Sequence, residues 1–379
     1  MKLLHISDLH IGKRFSERSF ADDQKYILQQ ILEMIDKETP DGVMIAGDVY
    51  DRAIPSAEAV QILDEFLVAL SQKNIPVFLI SGNHDSPERL AFGGRLLEAN
   101  HIYISPVYDG NISPITLEDD YGTINIYLLP FIKPSHVRRF YDDEEIVSYT
   151  DAMRVAIAHM NVDPHARNVL ITHQFVTGAI RSDSEECSVG GTDNVDACVF
   201  DVFDYVALGH IHAPQNCGSK KIRYCGTPLK YSFSEISHQK SVTLVTLAEK
   251  GELTVETLPL TPKTDMSELY GAFDTMTEKS FYENLGNRYD YLRITLTDEN
   301  DIPDAMNHLR KIYPNVLHLR YDNQRTRFNE ILTLDEEVEH KSPMTLFSEF
   351  YQKQNNQPMT EEQTAVIASI FDDLGGKMV

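Results

Sequence analysis

The chain has 379 residues, more than one domain of about 100–200 residues accounts for, so two domains or one domain with appendages are expected. Hydrophobic content of 42% and charged content of 24% are those of an ordinary globular protein and exclude a disordered or fibrous chain. A net charge of −24 excludes a generally basic surface, so an anionic polymer would have to be met by a metal centre, a local basic patch or a partner subunit.

Residues 3–7 form the first apolar run and predict a strand. No apolar region of about 7–15 residues with a cleavage site follows the N-terminus, so no secretory signal is expected, and no stretch approaches the roughly 20 apolar residues of a membrane helix. A cytoplasmic protein without membrane contact is expected. Residues 22–37 place Ile27, Ile31, Met34 and Ile35 at helical spacing. Residues 43–46 read as a strand. Pro55-Ser56 then opens a helix with Val60, Leu63, Phe66, Leu67 and Leu70 on one face, and residues 77–80 return as a strand. A hairpin joins residues 112–117 to 123–129 through Asp119-Asp120-Tyr121-Gly122. Residues 169–172 and 205–208 are buried-strand candidates. Residues 241–247 and 252–258 alternate around Lys250-Gly251 as a terminal hairpin.

A break at Pro259 to Pro262 separates this α/β region from a small α+β unit, with strands at 291–296 and 316–321 and a helix at 304–312. After an acidic lead-in at 335–339, Ser342-Pro343 starts a helix bearing Leu346, Phe347, Phe350 and Tyr351. A polar loop at 354–358 precedes the capping box Thr360-x-x-Gln363, and the last helix carries Val366, Ile367, Ile370, Phe371 and Leu374 up to Gly375. The expected domains are 1–260, 261–330 and 331–379. Cys187, Cys198, Cys217 and Cys225 form no C-x-x-C pair and read as reduced thiols. Gly375-Gly376-Lys377-Met378 lacks the upstream Gly and following Ser/Thr of a P-loop, so any use of ATP must come from a partner.

The chemistry lies at the strand ends. Five predicted strands each finish in residues of metal-ligating type: Asp8-Leu9-His10, Gly47-Asp48, Gly82-Asn83-His84-Asp85, His173, and Gly209-His210-Ile211-His212. Ligands collect at the carboxyl ends of strands in open α/β sheets, so the five ends could meet at one site. In Asp8-x-His10 and His210-x-His212, alternate residues of an extended segment would face one ion. Glycines 47, 82 and 209 would let the backbone turn and approach closely. Asp48, with two carboxylate oxygens, suits a bridge between two ions. Imidazole, carboxylate and amide oxygen together suit a borderline divalent metal such as Mn²⁺. A lone Asp-x-His or a single buried histidine carries little information, whereas the ordered series of five points to a dinuclear site.

The series D-x-H, GD, GNHD, H and GHxH, spanning residues 8–212, resembles the calcineurin-like metallophosphoesterases. The resemblance implies a β-sandwich flanked by helices. It assigns Asp8, His10, Asp48 and His212 to one ion and Asp48, Asn83, His173 and His210 to the other. His84 would face the scissile phosphate, paired with Asp85 or a neighbour. The cofactors would be two divalent ions, Mn²⁺ first and Mg²⁺ as the alternative.

The wording Asp8-Leu9-His10-Ile11-Gly12 and Gly47-Asp48-Val49-Tyr50-Asp51-Arg52, with the module order, is similar to the bacterial SbcD family of nucleases over essentially the whole chain. That family implies a 3′–5′ exonuclease on double-stranded DNA and an endonuclease on single strands and hairpins, serving DNA repair, recombination and replication at the nucleoid. Its members act as homodimers within a heterotetramer, beside an SbcC-type ABC/SMC-like ATPase. The middle unit would cap the site and bind DNA through Arg310, Lys311, Arg320, Arg325 and Arg327. The terminal helices would grip the ATPase coiled coil, and the helix at 56–71 would dimerise. Asp51 stands where related archaeal and eukaryotic nucleases have histidine, which leaves its role open. A calcineurin-like phosphatase or nucleotide phosphodiesterase is the alternative function.

Overall fold

The computed structural model describes residues 1–15, 18–182, 185, 193–324, 326–327, 343–355 and 358–375. Cys187, Arg325, the acidic lead-in 335–339, Ser342, part of the 354–358 loop and residues 376–379 lie outside the described residues. The chain forms two compact units, Met1–Asp265 and Met266–Val379.

The first unit is built on two six-stranded sheets. One contains β1 (Lys2–Ile6), β2 (Gly42–Ala46), β3 (Val77–Ile80) and β4 (Ile102–Ile104), all parallel. The other contains β5 (Ile115–Asp119), β6 (Gly122–Leu129), β7 (Arg167–His173), β8 (Tyr205–Gly209), β9 (Gln215–Cys217) and β10 (Ser219–Tyr224). The closing hairpin, β11 (Ser241–Leu247) and β12 (Leu253–Pro259), returns to the first sheet as β12-β11-β1-β2-β3-β4, while the second runs β9-β10-β8-β7-β6-β5.

Burial on both faces explains the unbroken apolar runs of these strands. Leu3, Met44, Phe78 and Ile80 of the first sheet face Ile126, Val169, Ile171 and Ala207 of the second in a common core. Their neighbours Leu4, Ile45 and Leu79 turn outward, under α1 (Ala21–Glu38) and α2 (Ala57–Gln72). The outer face of the second sheet is covered by α3 (Tyr149–Ala158). The unit is therefore a β-sandwich between helical layers. On α2 the expected apolar face is rotated: Ala59, Ile62, Leu63, Phe66 and Leu70 are buried, whereas Val60 and Val68 are exposed.

The second unit contains a three-stranded sheet, β13 (Met266–Gly271), β14 (Tyr291–Leu296) and β15 (Val316–Tyr321), with α4 (Ala305–Ile312) before the last strand. All three strands are parallel, with helices in both connections, so this part is a βαβ arrangement with one strand more than the sequence suggested. Two further helices, α5 (Pro343–Asn355) and α6 (Glu361–Gly375), touch through Phe347 and Phe371, ring centroids 6.1 Å apart. The predicted capping box forms: Gln363 N–H donates to Thr360 Oγ1 at 3.2 Å, and Thr360 N–H to Gln363 Oε1 at 2.9 Å. No helix among the described residues is long and apolar enough to cross a membrane.

Candidate metal centre

The carboxyl ends of β1, β2, β3, β7 and β8 converge, and hydrogen bonds between the loops that leave them fix the convergence. Asp8 and His10 N–H donate to the Gly47 and Asp48 carbonyls at 3.0 and 2.9 Å. Asp8 Oδ1 accepts the N–H of His210, and Asp48 Oδ1 that of His84, each at 2.9 Å. Each carboxylate thus commits one oxygen to another loop and turns the other inward. The glycines are needed where backbones meet: a Cβ at Gly209 would stand 1.9 Å from the Ala46 carbonyl, and one at Gly82 2.1 Å from Asp48 Oδ1.

Two donor clusters result. In one, Asp8, His10 and His212 bring ligand atoms together, with His10 Nε2 and His212 Nε2 3.2 Å apart. In the other, Asn83 Oδ1 lies 3.0 Å from His173 Nε2 and 2.9 Å from His210 Nδ1. Asp48 belongs to both, because its Oδ2 is 3.8 Å from His10 Nε2 and 3.3 Å from His173 Nε2. A single inward oxygen therefore faces both clusters.

The charge pattern matches this grouping. Burial lowers His10 and His210, the latter to about 3. Burial also opposes charge on His173, but the Asp48 carboxylate reverses it and raises that imidazole to about 9. Burial of His212 is likewise outweighed by Glu235. Each cluster pairs one histidine that favours a proton with one held neutral. Burial raises Asp8 to about 6, and its Oδ2, like His10 Nδ1, is buried without a hydrogen-bond partner among the described residues. Inward carboxylate oxygens, imidazoles, an amide oxygen and an unpartnered Asp8 oxygen fit two divalent cations; in apolar surroundings alone these groups would be costly to bury.

Asp8, His10, Asp48 and His210 all hold positive φ, at 52°, 43°, 47° and 98°. This corrects the expectation that Asp8-x-His10 is extended: both residues are left-handed, and their ligand atoms are nevertheless brought together. Non-glycine residues stay in that region only where their surroundings over-determine it. Here Gln24 Nε2 donates to the His10 carbonyl at 2.7 Å and Tyr231 O–H to the Leu9 carbonyl at 2.6 Å.

His84 lies at the open side, its side chain 20% exposed against 1% for His10 and 3% for Asp48. Its Nδ1 faces the Asp51 carbonyl at 3.1 Å and its Nε2 lies 3.9 Å from Asp48 Oδ2. A pairing of His84 with Asp85 is not found. The Asp85 carboxylate accepts the N–H groups of Val49, Tyr50 and Gly82 at 2.9–3.0 Å, clamping the second and third loops together. The Asp51 carboxylate is bound by Lys13 at 2.8 Å and lies 3.7 Å from His10 Nδ1, so this position supports His84 with its backbone and faces His10 with its side chain.

Glu235 was not singled out in the sequence. Fully buried, its Oε1 lies 3.1 Å from His212 Nδ1, and its Oε2 accepts Lys240 Nζ at 2.6 Å. Burial alone would raise this carboxyl; Lys240 and His212 reverse that and hold it well below the usual range. The only local signal is an acid in the otherwise apolar and hydroxylic stretch 231–236, and it reads equally well as a cap.

In the second unit Arg310, Lys311 and Arg320 are exposed. Arg327 is engaged by Asp322, Nε to Oδ1 2.7 Å, which occupies one of the cations expected to meet phosphate. Cys198, Cys217 and Cys225 are free thiols.

A family model described as calcineurin-like phosphoesterase matches residues 1–214, and one described as type 5 capsule protein repressor C-terminal domain matches residues 262–355. The chain is 32% identical to the D subunit of nuclease SbcCD from Staphylococcus saprophyticus, covering 99% of this chain and 98% of that one. It is 33% identical to the same protein of Staphylococcus epidermidis over 98% of each. Among solved structures, a dimetal phosphatase from Danio rerio is 12% identical over 69% of this chain and 98% of that one, with a TM-score of 0.42. The chain belongs to the calcineurin-like phosphoesterases and, within them, to the SbcD family.

Proposed function

We propose that this chain is the nuclease component of a DNA-repair complex and hydrolyses DNA phosphodiester bonds with two divalent ions, Mn²⁺ foremost and Mg²⁺ second. The observation that carries the reading is Asp48 Oδ2, which faces His10 on one side and His173 on the other and so joins the two donor clusters. Asp8, His10, Asp48 and His212 would hold one ion, and Asp48, Asn83, His173 and His210 the other. Such a pair supplies Lewis acidity at phosphorus and a nucleophile at neutral pH. His84, oriented through Asp51, presents Nε2 on the open side, where it can bind a phosphate oxygen or hand a proton to the leaving oxygen. Asp85 contributes by holding the loops in register.

The full-length similarity to the two staphylococcal SbcCD nuclease chains supports DNA over a small phosphoester. On the same ground the partner is an SbcC-type ABC/SMC-like ATPase, and the substrates are duplex ends and hairpins, cut by 3′–5′ exonuclease and single-strand endonuclease activity. Exposed Phe350, Val366 and Ile370 on the terminal helices support docking of the ATPase there, and exposed Val60 and Val68 on α2 support a homodimer within a heterotetramer. Arg310, Lys311 and Arg320 would contact DNA phosphates, together with Arg325. Residues 261–330 would form the cap, and 331–379 the ATPase-binding segment.

The test is cleavage of an end-labelled hairpin duplex with Mn²⁺, with and without the partner ATPase and ATP. Expected is cutting that requires Mn²⁺ and rises with the ATPase. His84→Gln should lower it by at least about 10²-fold, the scale of general acid–base catalysis, while Mn²⁺ affinity stays unchanged. No DNA cleavage beside brisk hydrolysis of a simple phosphomonoester would establish the phosphatase alternative.

A further inference from the structure

Beside the His173–His210–Asn83 cluster, β6 gives way to Pro130-Phe131-Ile132-Lys133. Because β6 runs parallel to β7, with Leu129 opposite Thr172, this segment emerges next to His173. Two hydrogen bonds fix it. Phe131 N–H donates to the Ser81 carbonyl at 3.0 Å, and Gln174 Nε2 donates to the Ile132 carbonyl at 2.9 Å. The half-buried Phe131 ring lies nearly parallel to His210, at 19° and 6.4 Å between centroids, and edge-on to His173 at 6.2 Å. The ammonium of exposed Lys133 stands over the ring, 5.8 Å from its centroid.

A wall for a metal site needs an apolar side chain but neither a flat ring nor a cation. A rigidly held ring capped by a long, exposed lysine beside a phosphoryl-transfer site fits a nucleotide: the ammonium swings off the ring to a phosphate and the base takes its place on the ring. We propose that Phe131 is the platform for the base adjoining the scissile phosphodiester and that Lys133 binds the neighbouring phosphate. This rests on the nuclease reading and deepens it. A stacked platform accepts any base, but only one freed from its own helix, so the site selects unpaired nucleotides, at frayed ends and in hairpin loops.

The experiment uses the full chain loaded with Mn²⁺ and two chromogenic diesters, thymidine 5′-(4-nitrophenyl phosphate) and methyl 4-nitrophenyl phosphate, which differ in the nucleoside. Phe131→Leu keeps the apolar packing and loses the π face. It should cut kcat/KM on the nucleoside ester by about tenfold and leave the methyl ester within about twofold, as expected for one lost base stack. Phe131→Tyr should restore the preference, and Mn²⁺ affinity should be the same in all three proteins. Lys133→Met should reduce the slope of log DNA affinity against log salt by about one. Equal loss on both esters, loss of Mn²⁺ affinity, or no loss on either overturns the platform; an unchanged salt slope overturns the role of Lys133. Wild-type protein that hydrolyses the methyl ester yet cleaves neither the nucleoside ester nor DNA would show instead that the nuclease reading had failed, and the platform with it.

Discussion

The imidazole of His212 can offer its Nε2 lone pair to a cation only while Nδ1 keeps the proton, and the buried Glu235 carboxylate holds it there. Glu235→Gln should therefore weaken Mn²⁺ binding by about 10–100-fold, measured by calorimetric titration. Lys240 would then be left buried opposite a neutral amide, and losing one member of such a pair costs about 3–5 kcal/mol. The double change Glu235→Leu with Lys240→Met should recover thermal stability but not metal affinity, which separates orientation of His212 from folding. The residues that meet at the centre were legible in the sequence because each stands at the carboxyl end of an apolar strand or in the loop that leaves it. Their supports were not. Glu235 and Tyr231 reach His212 and Leu9 from more than twenty residues away along the chain, and Asp51 holds His84 through a backbone carbonyl, which has no residue signature. Asp85 misled for the opposite reason, since adjacency to His84 says nothing about where a carboxylate points.

Elements buried on both faces announced themselves, and the limits expected for β3 agree with those observed. The strands β4, β9 and β10 did not: β4 and β9 have three residues each, and β10 opens with the exposed Ser219-Lys220-Lys221, which lie beyond the part of the strand, Ile222–Tyr224, that pairs with β8. At the end of the sandwich remote from the metal centre, Arg167 of β7 ties the elements together. Its guanidinium donates to Asp119 of β5, to Gly122 of β6, and to the Leu247 and Ala248 carbonyls at the end of β11. Arg167 holds the Asp119 carboxyl well below the usual carboxylate range. A depressed native pKa contributes stability above the unfolded value of about 3.9 and loses it as pH falls toward the native one. Asp119→Asn should thus lower Tm at pH 7, and the gap to wild type should narrow below about pH 4 in calorimetric scans.

For the molecule as a whole, all eight residues named as ligands or as the phosphate-facing histidine lie before residue 213, inside the unit Met1–Asp265 with its own core. A fragment of residues 1–265 should fold and bind Mn²⁺ with the affinity of the full chain in the same titration. A tenfold weaker fragment would mean that the second unit takes part in building the centre. The break at Pro259 to Pro262 was legible because β12 ends at Pro259 and proline stops the ladder, and the two compact units part a few residues later, after Asp265. The parallel order of the second unit was not, since β13 follows that break within a few residues and reads as linker.

The left-handed backbones of Asp8, His10, Asp48 and His210 have a consequence for laboratory evolution. Residues kept in that region for function each cost about 1–3 kcal/mol, less for aspartate, and buried like charges at Asp8 and Asp48 add to the burden. Random variants ranked only by survival on heating in a chelator would enrich Asp8→Asn and His210→Gly, which relieve charge or torsion. The hardiest proteins of such a library would be inert, so heat resistance has to be scored together with turnover.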